Sequence, residues 1–274
     1  KIKKFADTIK RLSKKTAYKI NFESEKPTIF DSKFAGLPYW TKDKEYPKNS
    51  EGKKLLLLAQ INFDQYKFNS PLPSNGMLQF FIYSDDILGL NFDNQIEQDG
   101  FRVVYHEKIN YDITEESIRQ LGVPESIKDL ENDDNDLESF PIEKEIKISF
   151  SKEMDSITHN DKNFNKYFTT VYNMIYDDYI TVDKGYFGVL NDKDEDKLND
   201  ELFTTFIKHK LLGYPFFTQD DPRHDKKYSD YILLLQIDTD KSIMWGDSGV
   251  CNFFIEEKAL LEKDFSKVLY NWDC

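Results

Sequence analysis

Four short runs of apolar residues predict strands in this 274-residue chain, the first two of them buried on both faces. These runs lie at about 55–61, 77–83, 231–238 and 250–255. Apolar and polar residues alternate at 146–150, which predicts a half-buried strand, and a last strand is expected near 266–270. The turn residues Ser74-Asn75-Gly76 separate the first two runs. The pattern therefore favours antiparallel sheet.

Apolar residues at helical spacing predict a smaller set of helices. The first covers residues 2 to about 13 and carries a lysine-rich face opposite its apolar face. Further helices are expected after Thr114, over about 164–175, through Leu202 to Phe206, and near 257–263. Gly213 is expected to end the helix before it with a positive φ, and Asp133–Asp136 is expected to be a polar loop.

The chain contains the same ordered segments twice, at offsets of 173 to 177 residues. Lys33–Trp40 returns as Lys210–Phe217, Leu57–Asp64 as Leu233–Asp240, and Gly76–Ile82 as Gly249–Ile255, with a fainter echo of Phe101, Val104 and Tyr105 in Phe265, Val268 and Tyr270. The repeat predicts one α+β domain over 1–274, with two related halves built on antiparallel sheet. Repeat one covers about 33–106, a helical insert about 107–209, and repeat two about 210–270. The halves are expected to share one core, with Gln60 and Gln236 buried in equivalent strands.

The net charge of −13 argues against a general nucleic-acid binder. The charge is unevenly distributed, since residues 1–70 hold 16 Lys and Arg against 8 Asp and Glu. Either this basic segment lies against an acidic part of the same chain, or it forms a patch for an anionic partner. Both interpretations remain open at the level of sequence.

Cysteine content and hydropathy indicate where the protein works. Its two cysteines, Cys251 and Cys274, cannot form a disulfide framework, which is typical of the reducing cytoplasm. Cys251 occupies the repeat position of Leu78, so a buried apolar role is expected for it. No apolar run approaches the ~18 residues of a membrane span. We therefore expect a cytoplasmic monomer without a membrane or nucleic-acid partner.

Local motifs for catalysis or metal binding are not found. The four histidines are scattered, without the short spacing of metal ligands. Asp192, Asp194 and Asp196 have the spacing that opens a calcium-binding loop, but Lys197 and Phe203 replace its essential glycine and glutamate. This run is expected to be a solvated loop leading into a helix. No catalytic residue, metal or cofactor is predicted.

Two loops of repeat two hold the densest mixture of polar and aromatic groups. Gln219, Asp221 and Arg223 belong to the first loop, and Trp245 and Asp247 to the second. A few polar groups beside aromatic walls are typical of ligand sites, so these five residues form a candidate binding surface. The alternative is structural: Asp247 closes a turn, and an aspartate of the first loop pairs with Arg223.

Several short segments along the chain together form a recognisable pattern. They are Gly36–Pro38, Leu58–Asn62, Leu72–Gly76 with Phe80-Phe81, Leu211–Pro215, Gln219 with Asp221-Pro222, Leu233–Asp238 and Met244–Gly249. These segments resemble the bacterial YwqG-like family, a domain of unknown function. The resemblance spans nearly the whole chain from about residue 30. It implies a cytoplasmic α+β protein with two related halves, and it implies no activity, cofactor or catalytic residue.

Two classes of function follow from these observations. The first is a non-enzymatic module that binds a protein or a small ligand, for instance in immunity or stress. The second is a hydrolase that uses carboxylates such as Asp220, Asp221 and Asp247, with or without a metal. Missing motifs and abundant Tyr and Phe favour the binding module.

Overall fold

Ten strands form one antiparallel sheet in the computed structural model, which describes residues 1–130, 140–176 and 178–274. The strands are β1 (Lys15–Phe22), β2 (Lys33–Phe34), β3 (Leu56–Asn62), β4 (Met77–Ile82), β5 (Phe101–His106), β6 (Ile146–Asp155), β7 (Lys210–Leu212), β8 (Tyr231–Asp238), β9 (Val250–Glu256) and β10 (Leu269–Asp273). Their order across the sheet is β10-β9-β8-β7-β1-β6-β2-β3-β4-β5. We refer to β2–β5 as the first half and to β7–β10 as the second half.

Five α-helices accompany the sheet in the described residues. They are α1 (Ile2–Leu12), α2 (Glu115–Gln120), α3 (Phe164–Ile175), α4 (Asp192–Phe203) and α5 (Glu257–Leu261). Phe5 of α1 packs with Phe168 of α3 and Leu198 of α4 in a separate apolar core. Lys10 of α1 also donates to the backbone oxygen of Glu201 in the acidic α4. The basic N-terminal helix therefore lies against an acidic part of the chain. No helix among the described residues is long and apolar enough to cross a membrane.

The two halves of the sheet have matching hydrogen-bond registers. Lys33 of β2 faces Gln60 of β3, and Lys210 of β7 faces Gln236 of β8. The pairing of β3 with β4 shifts by one residue after Leu57, and that of β8 with β9 shifts after Leu233. Such a β-bulge re-aims the side chains that follow it. Both halves therefore direct a glutamine out of an apolar strand at the same place.

The two central strands, β1 and β6, each pair with the half that they do not directly precede in sequence. β1 precedes the first half in sequence but pairs with β7 of the second, where Lys19 faces Lys210. β6 precedes the second half but pairs with β2 of the first, where Lys147 faces Lys33. Ile20 of β1 also faces Phe150 of β6, which joins the halves through the β1–β6 pair. The sheet is thus continuous only because β1 and β6 are both in place.

The sheet curls until its two edge strands lie close together. The loop after β4 reaches the β10 edge, where Gln95 accepts a backbone hydrogen bond from Tyr270 at 3.0 Å. Gln98 of the same loop donates to the backbone oxygen of Phe265 at 2.6 Å. The segment before β10 in turn covers β5, since the rings of Phe265 and Tyr105 lie 5.5 Å apart. These contacts cover both edges, which would otherwise expose unpaired backbone groups.

One apolar core runs through both halves. Phe80 of β4 and Phe253 of β9 have ring centroids 4.8 Å apart, and Phe253 stacks on Tyr270 at the same distance. Cys251 is fully buried in this core, and both cysteines are free. Two smaller apolar cores cover the outside of the sheet, one around Trp40 in the first half and one around Phe217 in the second.

The structure corrects several sequence predictions of local structure. β1 was not predicted. Asp192 begins α4 rather than a loop, because the Asn191 side chain accepts the Asp194 N–H and caps the helix. α4 ends at Phe203, so Gly213 caps no helix; its positive φ of 82° instead follows β7. The last strand lies at Leu269–Asp273, later than predicted. The predicted loop Asp133–Asp136 lies outside the described residues.

Candidate functional site

A cleft of about 870 Å³ opens in the first half, between the loop after β2, the end of β5 and α2. Its volume is in the range of sites that hold small ligands. Aromatic and polar groups line it together, among them Tyr39, Trp40, Lys42, Tyr105, His106 and Lys108. Tyr39, Trp40 and His106 are almost fully buried, so they form its floor. The charged residues lie at its rim.

Two buried glutamines, Gln60 and Gln79, hold the backbone of Tyr39 and so position the aromatic floor; we call this arrangement the clamp. Gly36 has a φ of 78°, which turns the chain after β2, and Tyr39 is buried beyond this turn. Gln60 Oε1 accepts the Tyr39 N–H at 2.9 Å, and Gln79 Nε2 donates to the Tyr39 oxygen at 2.7 Å. Gln60 Nε2 donates to two backbone oxygens upstream, those of Ile29 and Asp31. Each buried amide is satisfied, as the cost of burying a polar group requires.

This network also sets the tautomer of His106. Gln79 Nε2 donates both to the Tyr39 oxygen and to Gln60 Oε1, so its Oε1 is left as an acceptor. His106 Nε2 lies 2.8 Å from that oxygen and must carry the proton. Nδ1 is then an acceptor. It has no donor partner within the described part of the chain, and it keeps some exposure to solvent. Nδ1 is therefore the imidazole atom open to a molecule in the cleft.

Burial keeps the His106 ring neutral. Desolvation, assisted by the nearby Lys44 ammonium, lowers the pKa of His106 to about 3. The rings of Tyr39 and Trp40 stand edge-on to it at 5.1 and 5.3 Å. A neutral imidazole with this pKa accepts a hydrogen bond at neutral pH but is a weak proton acceptor. The geometry suits recognition better than acid–base chemistry.

Two of the residues predicted as a binding surface, Asp221 and Arg223, form a buried ion cluster. Arg223 donates to Asp221 at 2.6 Å and to Asp161 at 2.8 Å, and its guanidinium lies 4.9 Å from the Phe254 ring. Asp221 also accepts the Lys162 N–H at 3.0 Å. These contacts tie the loop after β7 to the start of α3. Both side chains already have protein partners for their charges.

The other three predicted residues have different surroundings. Gln219 is exposed and donates to the backbone oxygen of Cys274 at 2.7 Å. Trp245 is fully buried in the main core, where its ring lies 6.2 Å from Trp272. Asp247 is exposed in the turn before β9.

A second cleft, of about 730 Å³, lies beside the turn that carries Asp247 and is lined by Met244, Gly246, Asp85 and Asp240 among others. Two of its carboxylates already have partners within the protein. Asp240 accepts from His209 Nε2 at 3.0 Å, and Asp85 accepts the Gly89 N–H at 2.7 Å. Across residues 1–130, 140–176 and 178–274, no three His, Cys, Asp or Glu side chains are grouped to hold a metal ion.

Sequence reasoning missed the cleft because its residues come from three separate segments, 39–44, 105–110 and 113–121. One signal was available: the repeat continues past the aromatic pair, since Thr41 and Asp43 match Thr218 and Asp220. Between these shared positions, Lys42 stands where the second half has Gln219. A comparison of the two loops would have marked the lysine as a difference between the halves.

The fold and the cleft define an α+β protein in which one antiparallel sheet carries a small aromatic and polar cleft. The model of the family described as "Domain of unknown function (DUF1963)" matches residues 32–274, and the chain belongs to this family. Membership agrees with the expectation of a family without an assigned activity. The match begins after β1, although β1 lies in the middle of the sheet. The curated proteins contain no match to the chain.

Proposed function

We propose that this protein is a binding module whose ligand occupies the cleft above His106. The observation that carries the proposal is the free Nδ1 acceptor of a buried, neutral imidazole at the floor of the cleft. Desolvated acceptors discriminate strongly, because a ligand without the matching donor leaves them unpaired. The ligand is therefore expected to present an N–H or O–H group to His106.

Binding fits this site better than the alternative, a carboxylate-dependent hydrolase. General-base catalysis at neutral pH calls for a group with a pKa near 7, whereas the pKa of His106 is about 3. Of the acids considered for hydrolysis, Asp221 is buried against Arg223 and accepts its N–H groups with both carboxylate oxygens. Its charge serves to compensate the arginine.

The test is a fragment library screened by amide-signal perturbation in two-dimensional NMR, with dissociation constants for the hits. His106→Gln keeps a donor for Gln79, because the amide nitrogen of glutamine is as far along the side chain as Nε2, but it removes the Nδ1 acceptor. His106→Asn keeps an acceptor near the position of Nδ1 but removes the donor for Gln79. Hits should bind at the cleft, lose about tenfold or more in affinity with His106→Gln, and lose less with His106→Asn at equal folding. A library without hits at the cleft, or hits indifferent to His106→Gln, would overturn the proposal.

The surface predicted in the second half is the competing location. Asp247→Asn serves as its matched test in the same screen, since Asp247 is exposed and distant in sequence from the cleft residues. A hit whose affinity depends on Asp247 and not on His106 would assign binding to the second half. We expect the opposite dependence.

We further propose that the halves arose by duplication, with segment 107–209 as an insert between repeats at 33–106 and 210–270 in one domain. The matching registers of Lys33 with Gln60 and Lys210 with Gln236 support this origin.

We also propose that the protein is a cytoplasmic monomer and that its resemblance to the YwqG-like family reflects kinship. Its two free cysteines support a reducing compartment, and its covered sheet edges support a monomer. Light scattering coupled to size exclusion tests the monomer.

A further inference from the structure

We infer that the cleft selects small organic anions that also carry an N–H or O–H donor; this rests on the proposed function and specifies its ligand class. The donor requirement comes from His106 Nδ1. The anion requirement comes from the rim of the cleft, where positive charges outnumber negative ones once the ion pair within the protein is set aside.

The two acids that line the rim, Asp43 and Glu107, have different kinds of partner. Glu107 pairs with Lys263 at 3.6 Å, and Asp43 accepts a hydrogen bond from the Thr41 side chain. Lys44 lies over the edge of β5 and donates to the backbone oxygen of Tyr105 at 3.0 Å. Glu107 and Lys44 thereby each have a partner within the protein.

Two lysines at the rim are different. Lys42 and Lys108 are exposed and line the cleft, and neither makes an ion pair or a side-chain hydrogen bond within the described part of the chain. With Glu107 paired to Lys263, the three lysines that line the cleft outnumber the remaining rim acid, Asp43, above an aromatic floor with one acceptor. A carboxylate or phosphate group between the lysines, joined to a ring whose donor reaches His106 Nδ1, would complement all of these groups.

The same charges explain the location of some of the excess basic residues in the first seventy positions. In the second half, Gln219 and Asp221 occupy the places of Lys42 and Lys44. The loop after β7 therefore does not repeat these two cations, and we expect anion selection at the loop after β2.

The experiment uses matched probes on the 274-residue chain. The probes 4-aminobenzoate, 4-aminophenyl phosphate and 4-aminobenzamide share a donor and a ring and differ in charge. Dissociation constants come from NMR titration of the amide signals of 39–44 and 105–110. At least one anion should bind about tenfold or more tighter than the amide, and raising salt from about 50 to about 500 mM should weaken only the anions. The better anion identifies whether carboxylate or phosphate is preferred.

Lys42→Gln combined with Lys108→Gln should reduce the affinity for that anion to the level of the amide. Lys67→Gln is the control, because Lys67 is an exposed lysine that does not line the cleft. Equal binding of anions and amide would overturn anion selection while leaving the proposed function in place. Failure of all three probes to perturb the cleft signals would also overturn it, and the wider library then decides the proposed function separately.

Discussion

Gln60 and Gln236 hold the same point of the chain in the two halves of the sheet. Gln60 Oε1 accepts the backbone N–H of Tyr39 at 2.9 Å, and Gln236 Oε1 accepts that of Phe216 at 2.7 Å. Each glutamine also donates to two backbone oxygens of the segment before its short strand. Asn252 donates to the Phe216 oxygen just as Gln79 donates to that of Tyr39. One scaffold therefore presents two loops, and the first of them lines the 870 Å³ cleft.

Replacing either glutamine should destabilise the protein. Gln60→Leu or Gln236→Leu leaves a buried N–H and two carbonyls without their partner, which costs roughly 1–3 kcal/mol in unfolding free energy. Urea denaturation measures this loss. Gln120→Leu is the control, since Gln120 is exposed on α2, and it should change stability by less than about 0.5 kcal/mol. If both buried variants match the parent, the clamp is not a stabilising feature.

Gly213 should tolerate a side chain less well than Gly52, although both have a positive φ near 80°. A Cβ at Gly213 would lie 2.4 Å from Asp155 Oδ2 and 2.9 Å from the Ala17 Cβ, whereas a Cβ at Gly52 meets nothing within 4 Å. Gly52→Ala therefore reports backbone strain alone, about 1 kcal/mol. Gly213→Ala should cost clearly more, as measured by thermal and urea unfolding. Equal losses would show that the close contact with Asp155 relaxes freely.

The sequence pattern predicted the long strands that are buried on both faces and the alternating strand β6, but it missed β1, β5 and the short buried strands β2 and β7. β3, β4, β8 and β9 lie where continuous apolar runs were found. β1 was missed because its exposed lysines interrupt the run, although Tyr18 and Ile20 alternate with Lys19 as a half-buried strand requires. Its partners β6 and β7 are distant in sequence, so no local signal places it at the centre of the sheet.

The site was harder to predict than the fold for a physical reason. Composition marked Asp221 and Arg223 as chemically rich, but a buried acid and base close in sequence satisfy each other and leave little for a ligand. His106 looked unremarkable, since its role depends on Gln79 and Gln60, which lie on other strands. Hydrogen-bond direction is a property of the folded network and is not encoded in any local motif.

β1 should be essential to the sheet even though the family match begins after it. Ile20 is buried between the halves, while its neighbour Lys19 faces solvent. Ile20→Asn removes apolar burial and introduces an amide into the core, so a loss of about 3 kcal/mol is expected. Lys19→Asn on the same strand should change stability by less than about 0.5 kcal/mol. If Ile20→Asn proves as stable as Lys19→Asn by urea denaturation, β1 is peripheral in solution.

The pH dependence of stability should contain a term from His106. Its pKa is about 3 in the folded protein and about 6.5 when unfolded. Between these values the unfolded state binds the extra proton, so acidification favours unfolding. From pH 7 to pH 5 the term lowers the unfolding free energy by about 2 kcal/mol. The parent should lose that much more stability than His106→Gln over this interval. Equal losses would show that His106 titrates normally in the fold.

Neutralising Asp221 should destabilise the protein far more than neutralising Asp247, although the sequence placed both carboxylates on one binding surface. Asp221→Asn leaves the buried Arg223 with Asp161 as its remaining acid, and breaking a buried pair costs about 3 kcal/mol or more. Asp247 is exposed in a turn, so Asp247→Asn should change stability by less than about 0.5 kcal/mol. Differential scanning calorimetry of both variants measures the contrast, and the NMR screen shows whether either changes binding. If Asp221→Asn leaves stability unchanged but abolishes ligand binding, the binding site lies in the second half. A loss of stability with intact binding at the cleft would establish Asp221 as the counter-ion that fixes the loop after β7.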